Sequence, residues 1–368
     1  MFNVKKQLSK LYTSAILGNL SLSGAWVAIL AARGFSLVQI GIAETVYHIT
    51  SLIFEIPSGV FADVIGRKKM LVISTFLQLI GCSVMICSTN LFGVCLSIAF
   101  FAMSDNAASG TGDALAYDSL KLCGEESKFE KYASNQLIIY RMCEGVSTLC
   151  AGFALFIGYK LAYGASFISC AIQLPILFSL HEVYASTFSA NTKELKKKSM
   201  HSRIAECFKE SFLFLRKVKK ALGLMFCNSF VGALDIVLLF FLQAKLPARG
   251  IPAWLLGAAL LFMQMGGVTG SKLILKFPKA GYKCVFAVTT ILVIIGLLLE
   301  HSPFWALMAL GGFIAALGDD ALQIRTNARL QDMFPSEQRA TLVSVESFTF
   351  SVIMIVLSPL AGFVFTYW

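Results

Sequence analysis

Acidic side chains recur inside the long apolar segments of this sequence. A charge in such a segment needs either a partner or a functional role. A charged side chain at the centre of a bilayer costs roughly 2.5–3.5 kcal/mol on insertion scales. Carboxylates kept in such places form proton relays or pair with cations. The candidates for this chemistry are Glu44, His48, Asp105, Asp113, Arg141, Glu144, Asp235, Asp319, Asp320 and Glu346.

A structural role is the alternative for each of these charges. The acids could satisfy Arg141, Arg325, backbone groups or water between helices. Arg141 is interpreted as structural, because Glu144 or Asp113 can reach it.

One histidine has an acid at helical spacing. Glu44, His48 and Glu55 are spaced at i, i+4 and i+11, so a helix would carry all three on one face. A lone histidine on a helix more often packs against its neighbours than takes part in proton coupling. His48 alone is therefore weak evidence for coupling, and Glu44 one turn away adds a little to it.

A tight basic turn lies between two apolar runs in the stretch EIPSGVFADVIGRKKML. Gly66, Arg67 and Lys68 form the turn, and Asp63 stands at its boundary, where a carboxylate needs a partner. Gly59 and Gly66 permit close backbone approach and a sharp change of direction.

The composition predicts an all-α integral membrane protein. Of 368 residues, 57% are hydrophobic and only 14% are charged. A soluble protein of this composition would have too few polar residues to cover its surface. The first apolar run is too long for a secretory signal and is followed by more spans. The ten Cys lack metal-ligand spacing, and no catalytic grouping is present. We therefore expect no enzymatic activity, no cofactor and no bound metal.

Eleven apolar segments are long enough to span a bilayer as helices. They divide the chain into a six-helix bundle (1–181), a basic cytoplasmic linker (182–220) and a five-helix bundle (221–368). The two bundles repeat, since GDAL in span 4 corresponds to GDDAL in span 10, a pattern typical of parallel-repeat transporters. The predicted spans are about 11–32, 38–63, 70–88, 92–117, 134–157, 161–181, 221–243, 253–275, 282–299, 303–327 and 340–365.

The basic residues predict the orientation. With the N-terminus in the cytoplasm, 26 of the 31 Lys and Arg residues fall on the cytoplasmic side, and Arg33, Lys160, Lys245 and Arg249 fall outside. Their spread over six cytoplasmic segments excludes nucleic acid as a partner. The linker segment HSRIAECFKESFLFLRK has the pattern of an interfacial helix, so we expect contact with membrane lipids.

The spacing of Gly59, Asp63, Gly66, Arg67 and Lys68 resembles the signature loop between helices 2 and 3 of the major facilitator superfamily of transporters. The stretches SGTGDALAYDSL in span 4 and PSEQRATLVS before span 11 resemble its bacterial drug-efflux members. The resemblance implies the major facilitator fold, in which two pseudo-symmetric bundles surround a central site. That fold has twelve spans. Three interpretations follow, which are a truncated chain, a lost twelfth span, or a twelfth span within the segments assigned above, and the first two are favoured.

The resemblance also implies a latch on the cytoplasmic side. The acid matching Asp63 faces the start of span 11, which here follows Arg339, where the helix dipole favours a negative charge. The base matching Arg67 pairs with an acid at the inner end of span 4, here Asp118. Protonation or substrate binding would weaken the latch and let the bundles rock.

We expect a monomeric secondary transporter of the plasma membrane that exports small hydrophobic or cationic compounds by proton exchange. Asp105, Asp235 and Asp319 or Asp320 would face the substrate, since spans 4, 7 and 10 line the family's cavity. Span 5 carries GVSTLCAG without the proline of the family's antiporter signature. Two alternatives remain open, which are proton-driven uptake of a sugar, peptide or siderophore, and a truncated membrane protein that transports nothing.

Overall fold

The computed structural model describes residues 2–183, 219–333 and 339–367, and every regular element in these ranges is helical. The predicted all-α fold is therefore confirmed. Most of the predicted linker, with its interfacial helix, lies outside the described residues. The helices are α1 (Val4–Asn19), α2 (Trp26–Ala32), α3 (Leu37–Ile65), α4 (Arg67–Cys87), α5 (Leu91–Ala108), α6 (Thr111–Leu122), α7 (Phe129–Leu149), α8 (Ala151–Ile157), α9 (Tyr159–Phe178), α10 (Lys219–Ala248), α11 (Ala253–Leu273), α12 (Tyr282–Glu300), α13 (Trp305–Met333) and α14 (Arg339–Tyr367).

The helices follow the predicted spans, although some spans are broken. Within the described ranges, nine helices are long and apolar enough to cross a membrane, and a pair bent by 52° at the α7–α8 junction makes ten. The first predicted span is divided between α1 and α2. The count of eleven spans therefore stays a prediction.

Serine side chains stabilise the break between α1 and α2. The backbone N–H of Ser21 donates to Ser147 Oγ at 3.0 Å, and that of Ser23 donates to Ser21 Oγ at 3.0 Å. The Ser21 hydroxyl also lies 3.0 Å from Ser166 Oγ. Hydroxyls that satisfy freed backbone groups allow a helix to break at membrane depth.

Compact unit 1 comprises 2–24, 49–147 and 158–183 of the described residues. Its core includes Leu11, Leu115 and Leu177, all of which are buried. Helix α4 packs closely on α5, where Ser74 Oγ donates to the Ser104 carbonyl at 2.9 Å. This unit carries the basic turn.

Compact unit 2 comprises 25–48, 148–157, 219–333 and 339–367 of the described residues. It therefore joins short first-half segments to second-half helices, across the predicted bundle boundaries. Gly152 of α8 lies against the carbonyl of Ala253, at the start of α11, so closely that a Cβ would clash. On α3, Thr45 Oγ1 donates to the Ile355 carbonyl of α14 at 3.2 Å.

Candidate functional site

The Arg67 cluster consists of Arg67, Asp118 and Glu182 in unit 1. Arg67 begins α4, and its Nη1 donates to the Asp118 carboxylate and to the Ala114 carbonyl, the latter at 2.5 Å. The two charged side chains are only 17% and 8% exposed. The structure thus brings together Arg67 and Asp118, the pair that the resemblance implied, and the bond is of the strong, charge-assisted kind.

Glu182 caps helix α4, a role that sequence reasoning missed. Its carboxylate accepts from the backbone N–H of Lys68 at 3.1 Å and of Lys69 at 3.3 Å. The free N–H groups at a helix N-terminus favour an anion at this position. Gly66 has φ of +112°, and a Cβ there would lie 2.6 Å from the Glu182 carboxylate. The only signal in the sequence is an acid shortly after span 6.

Helix α1 holds the segment that carries Glu182. The Gln7 amide donates to the His181 carbonyl at 2.8 Å and accepts from the His181 N–H at 3.1 Å. Lys10 Nζ donates to the Ser179 carbonyl at 2.5 Å. The end of α9 and the start of α4 are therefore tied to one N-terminal helix.

The other predicted latch residues make fewer contacts in the described structure or have side chains outside it. Gly59 is exposed, and among the described residues no atom lies within 4 Å of its Cβ position, so the expected close approach is not seen there. Lys68 contributes its backbone N–H. The side chains of Asp63 and Arg339 lie outside the described residues, and their role stays a prediction.

Three acids of unit 2, Asp235 of α10 with Asp319 and Asp320 of α13, form what we call the carboxylate group. Asp235 is close enough to both α13 acids for direct electrostatic repulsion. Asp319 Oδ1 lies 3.3 Å from the Cβ position of Gly232 on α10, whereas Asp320 packs against Gly267 on α11. A proton or a cation would relieve this repulsion. Within the described residues, no group of three or more His, Cys, Asp or Glu could hold a metal ion.

Arg325 donates hydrogen bonds to backbone carbonyls in the described structure. Its guanidinium donates to the carbonyls of Phe277 at 2.6 Å and Pro278 at 3.1 Å, just beyond the end of α11. Basic side chains commonly satisfy the free carbonyls at such helix ends. The contacts of Arg325 therefore favour a structural role for this base and not a pairing with the acids.

A buried polar contact links α3 to α14 in unit 2. His48 Nε2 lies 3.2 Å from Glu44 Oε1, and His48 Nδ1 lies 3.3 Å from Ser351 Oγ. Glu44 and His48 are 9% and 6% exposed. The structure thus brings together two of the three residues on the predicted face, whereas Glu55 belongs to unit 1.

Three of the four acid and base candidates in unit 1 are exposed, and Glu144 is half-buried. Asp105 and Asp113 are both exposed, and Asp113 stands in the first turn of α6, where the helix dipole favours an acid. Arg141 Nη1 donates to Glu144 Oε2 at 3.0 Å, with side chains 69% and 35% exposed. Arg141 therefore has the partner that its spacing predicted, in a pair that the protein encloses less completely than Arg67 and Asp118.

Sequence reasoning also missed polar groups buried in unit 2. Asn228 of α10, only 5% exposed, donates to Glu346 Oε1 of α14 at 2.9 Å. Glu300 ends α12 at 5% exposure, and neither of its carboxylate oxygens has a hydrogen-bond partner among the described residues. An amide inside an apolar helix, or an acid at its last residue, carries no sequence signal that sets it apart.

Comparison with known proteins places this geometry in a family. A family model described as Major Facilitator Superfamily matches residues 11–281. An uncharacterized MFS-type transporter of Bacillus subtilis (strain 168), YxaM, is 25% identical over 333 residues, which cover 88% of this chain and 80% of that protein.

Two solved structures share the fold. The nucleoside transporter NupG gives a TM-score of 0.74 at 16% identity, with 99% of this chain and 91% of that chain covered. A D-xylose-proton symporter gives a TM-score of 0.70 at 11% identity, with 97% and 89% covered. At these identities the likeness establishes the architecture alone.

Proposed function

Because the chain belongs to the major facilitator superfamily and is a membrane-embedded transporter, we propose that it exports small hydrophobic or cationic compounds in exchange for protons. Export would follow alternating access, a shift of population between two packings, each biased by its ligands. The substrate would bind on the acids of unit 2, and a proton would compete for the same acids.

The carboxylate group is the observation that carries this proposal. Asp235, Asp319 and Asp320 stand close together inside unit 2, within helices whose other residues are largely apolar. Negative charge in apolar surroundings is the chemistry that selects an apolar cation. A proton on the same acids would lower their attraction for that cation, which couples the two ligands.

The Arg67 cluster would supply the inner latch of this cycle. The Arg67–Asp118 ion pair and the Glu182 cap fix the start of α4 within unit 1. Asp63 would face the helix that follows Arg339, as the family resemblance implies. Release of that contact would permit the change of packing.

Uptake of a polar solute such as a sugar is the second candidate. We expect few polar side chains at mid-depth in spans 1 and 7, which argues against a sugar. The break in the first span, however, brings Ser21 and Ser23 beside Ser166. Such hydroxyls can donate hydrogen bonds to a hydroxylated substrate and accept them from it. These serines already bond one another, which makes export of a cation the stronger candidate.

The test uses the full chain reconstituted in liposomes that contain a fluorescent cationic dye and a trapped pH indicator. A proton gradient should drive dye movement, and Asp235→Asn and Asp319→Asn should abolish this coupling. Glu130→Gln, which neutralises an exposed acid, is the matched control and should transport normally. Sugar accumulation without any proton-driven dye movement would contradict export and support uptake of a polar solute.

A further inference from the structure

A cavity of about 740 Å³ lies within unit 2, and no member of the carboxylate group lines it. Its walls come from the α2–α3 connection and from the ends of α8, α10 and α14. Most lining side chains are Ala, Leu, Pro or Phe. Small-molecule sites commonly have volumes of about 300–1,000 Å³ with largely apolar walls and a few polar groups.

Basic residues gather at this cavity. Of the four bases predicted to lie on the extracellular side, Lys245 and Arg249 line the cavity. The guanidinium of a third, Arg33, lies 5.1 Å from the ring centre of the wall residue Phe35. No Asp or Glu is among the described residues that line it. The cavity therefore combines apolar walls with positive charge.

The two lining bases are poorly compensated. Lys245 and Arg249 are one turn apart on the α10 end, and like charges at this spacing repel. In the described part of the chain, neither base forms an ion pair within 4 Å. The Lys245 ammonium lies 5.5 Å from the Phe365 ring centre, and Glu300 attracts it from farther away. An anion in the cavity would relieve the repulsion between the bases.

We propose that this cavity binds an amphiphilic anion, in which a carboxylate or phosphate group is carried on an apolar chain. The anionic group would lie between Lys245 and Arg249, and the apolar part would lie against Phe35 and Phe365. The ligand could be a free amphiphile or an anionic lipid headgroup with part of its chain. The inference rests on the cavity and does not depend on the proposed export.

The experiment measures binding of dansyl-labelled undecanoate to the full chain in nanodiscs of phosphatidylcholine. Octanoate and octyl phosphate should displace the probe, whereas octanol, which has the same chain without charge, should not. Repeating the titration with phosphatidylglycerol in the nanodiscs identifies the source of the ligand. If phosphatidylglycerol competes with the probe, the site binds a lipid headgroup. If it does not compete, the site binds a free amphiphile.

Matched variants test the assigned bases. Lys245→Gln and Arg249→Gln should each weaken probe binding by about tenfold or more, as expected for loss of a charge-assisted contact. Lys160→Gln, which removes an exposed base in unit 1, should leave the Kd unchanged. Glu300→Gln should tighten binding, because this acid attracts Lys245. A thermal transition recorded for each variant identifies any that fail to fold.

Three results would overturn the proposal. They are the absence of saturable probe binding by the wild-type chain, displacement by octanol as effective as by octanoate, and equal losses in Lys245→Gln and Lys160→Gln. The Glu300→Gln variant keeps both lining bases, so it still tests the charge argument if a base variant does not fold.

Discussion

Arg67 and Asp118, which are 51 residues apart in sequence, form a largely buried ion pair inside unit 1. The pair joins the start of α4 to the C-terminal half of α6. The Ala114 carbonyl accepts a second bond from the same guanidinium nitrogen. The guanidinium of Arg67, a residue of the basic turn, is therefore held in a fixed place.

Replacing Asp118 by Asn should destabilise the protein substantially. Removing one partner of a buried pair leaves the other charge uncompensated, at a cost of about 3–5 kcal/mol. We expect the low end of this range, because Arg67 keeps its bond to Ala114. Thermal unfolding of the purified variant in detergent measures the loss.

Glu144→Gln provides the control for this ion-pair prediction. It breaks the Arg141–Glu144 pair, whose side chains are 69% and 35% exposed. We expect a smaller loss than in Asp118→Asn, because other residues of the protein enclose this pair less completely. If the two variants lose the same stability, burial is not what makes the Arg67–Asp118 pair strong.

Replacing Glu182 by Ala should loosen the first turn of α4. Loss of a side-chain acceptor at a helix N-terminus costs about 1 kcal/mol. Hydrogen exchange of the Lys68 and Lys69 amides should accelerate, because these N–H groups donate to Glu182. Glu182→Gln keeps an acceptor without the charge, so its amide exchange rates should lie between those of the wild type and those of Glu182→Ala. Unchanged amide protection in Glu182→Ala would contradict the cap.

The sequence specifies the helices well because apolar length and basic turns are local properties. The Arg67–Asp118 pair could also be predicted, because both residues match positions of known family motifs. The break at Ser21 could not be predicted, because it depends on hydroxyls of Ser147 and Ser166 that come from other helices. Glu182 and the role of Arg325 likewise depend on backbone groups that only the packed structure places nearby.

Gly152→Ala should separate α8 from α11 in unit 2. A Cβ at Gly152 would clash with the Ala253 carbonyl, a backbone atom that cannot rotate away. Overpacking of this kind costs about 1–3 kcal/mol. Labelling of Cys150 by an impermeant maleimide should become faster, in a background where the other cysteines are replaced.

Gly223→Ala is the control for this packing prediction. Gly223 lies in α10, and among the described residues no atom lies within 4 Å of its Cβ position. An alanine there should be neutral or stabilising by about 0.5–1 kcal/mol, since glycine is a poor helix former. Equal labelling of Cys150 in both variants would show that the α8–α11 contact does not depend on Gly152.

Glu300→Leu should leave the protein as stable as the wild type or more stable. The carboxylate is 5% exposed, and neither oxygen has a hydrogen-bond partner among the described residues. A buried polar group without a hydrogen-bond partner costs about 1–3 kcal/mol, and leucine does not carry this cost. Glu130→Leu, at an exposed acid, should change stability by less than about 0.5 kcal/mol. A marked loss in Glu300→Leu alone would mean that Lys245 compensates the acid at closer range than the structure shows.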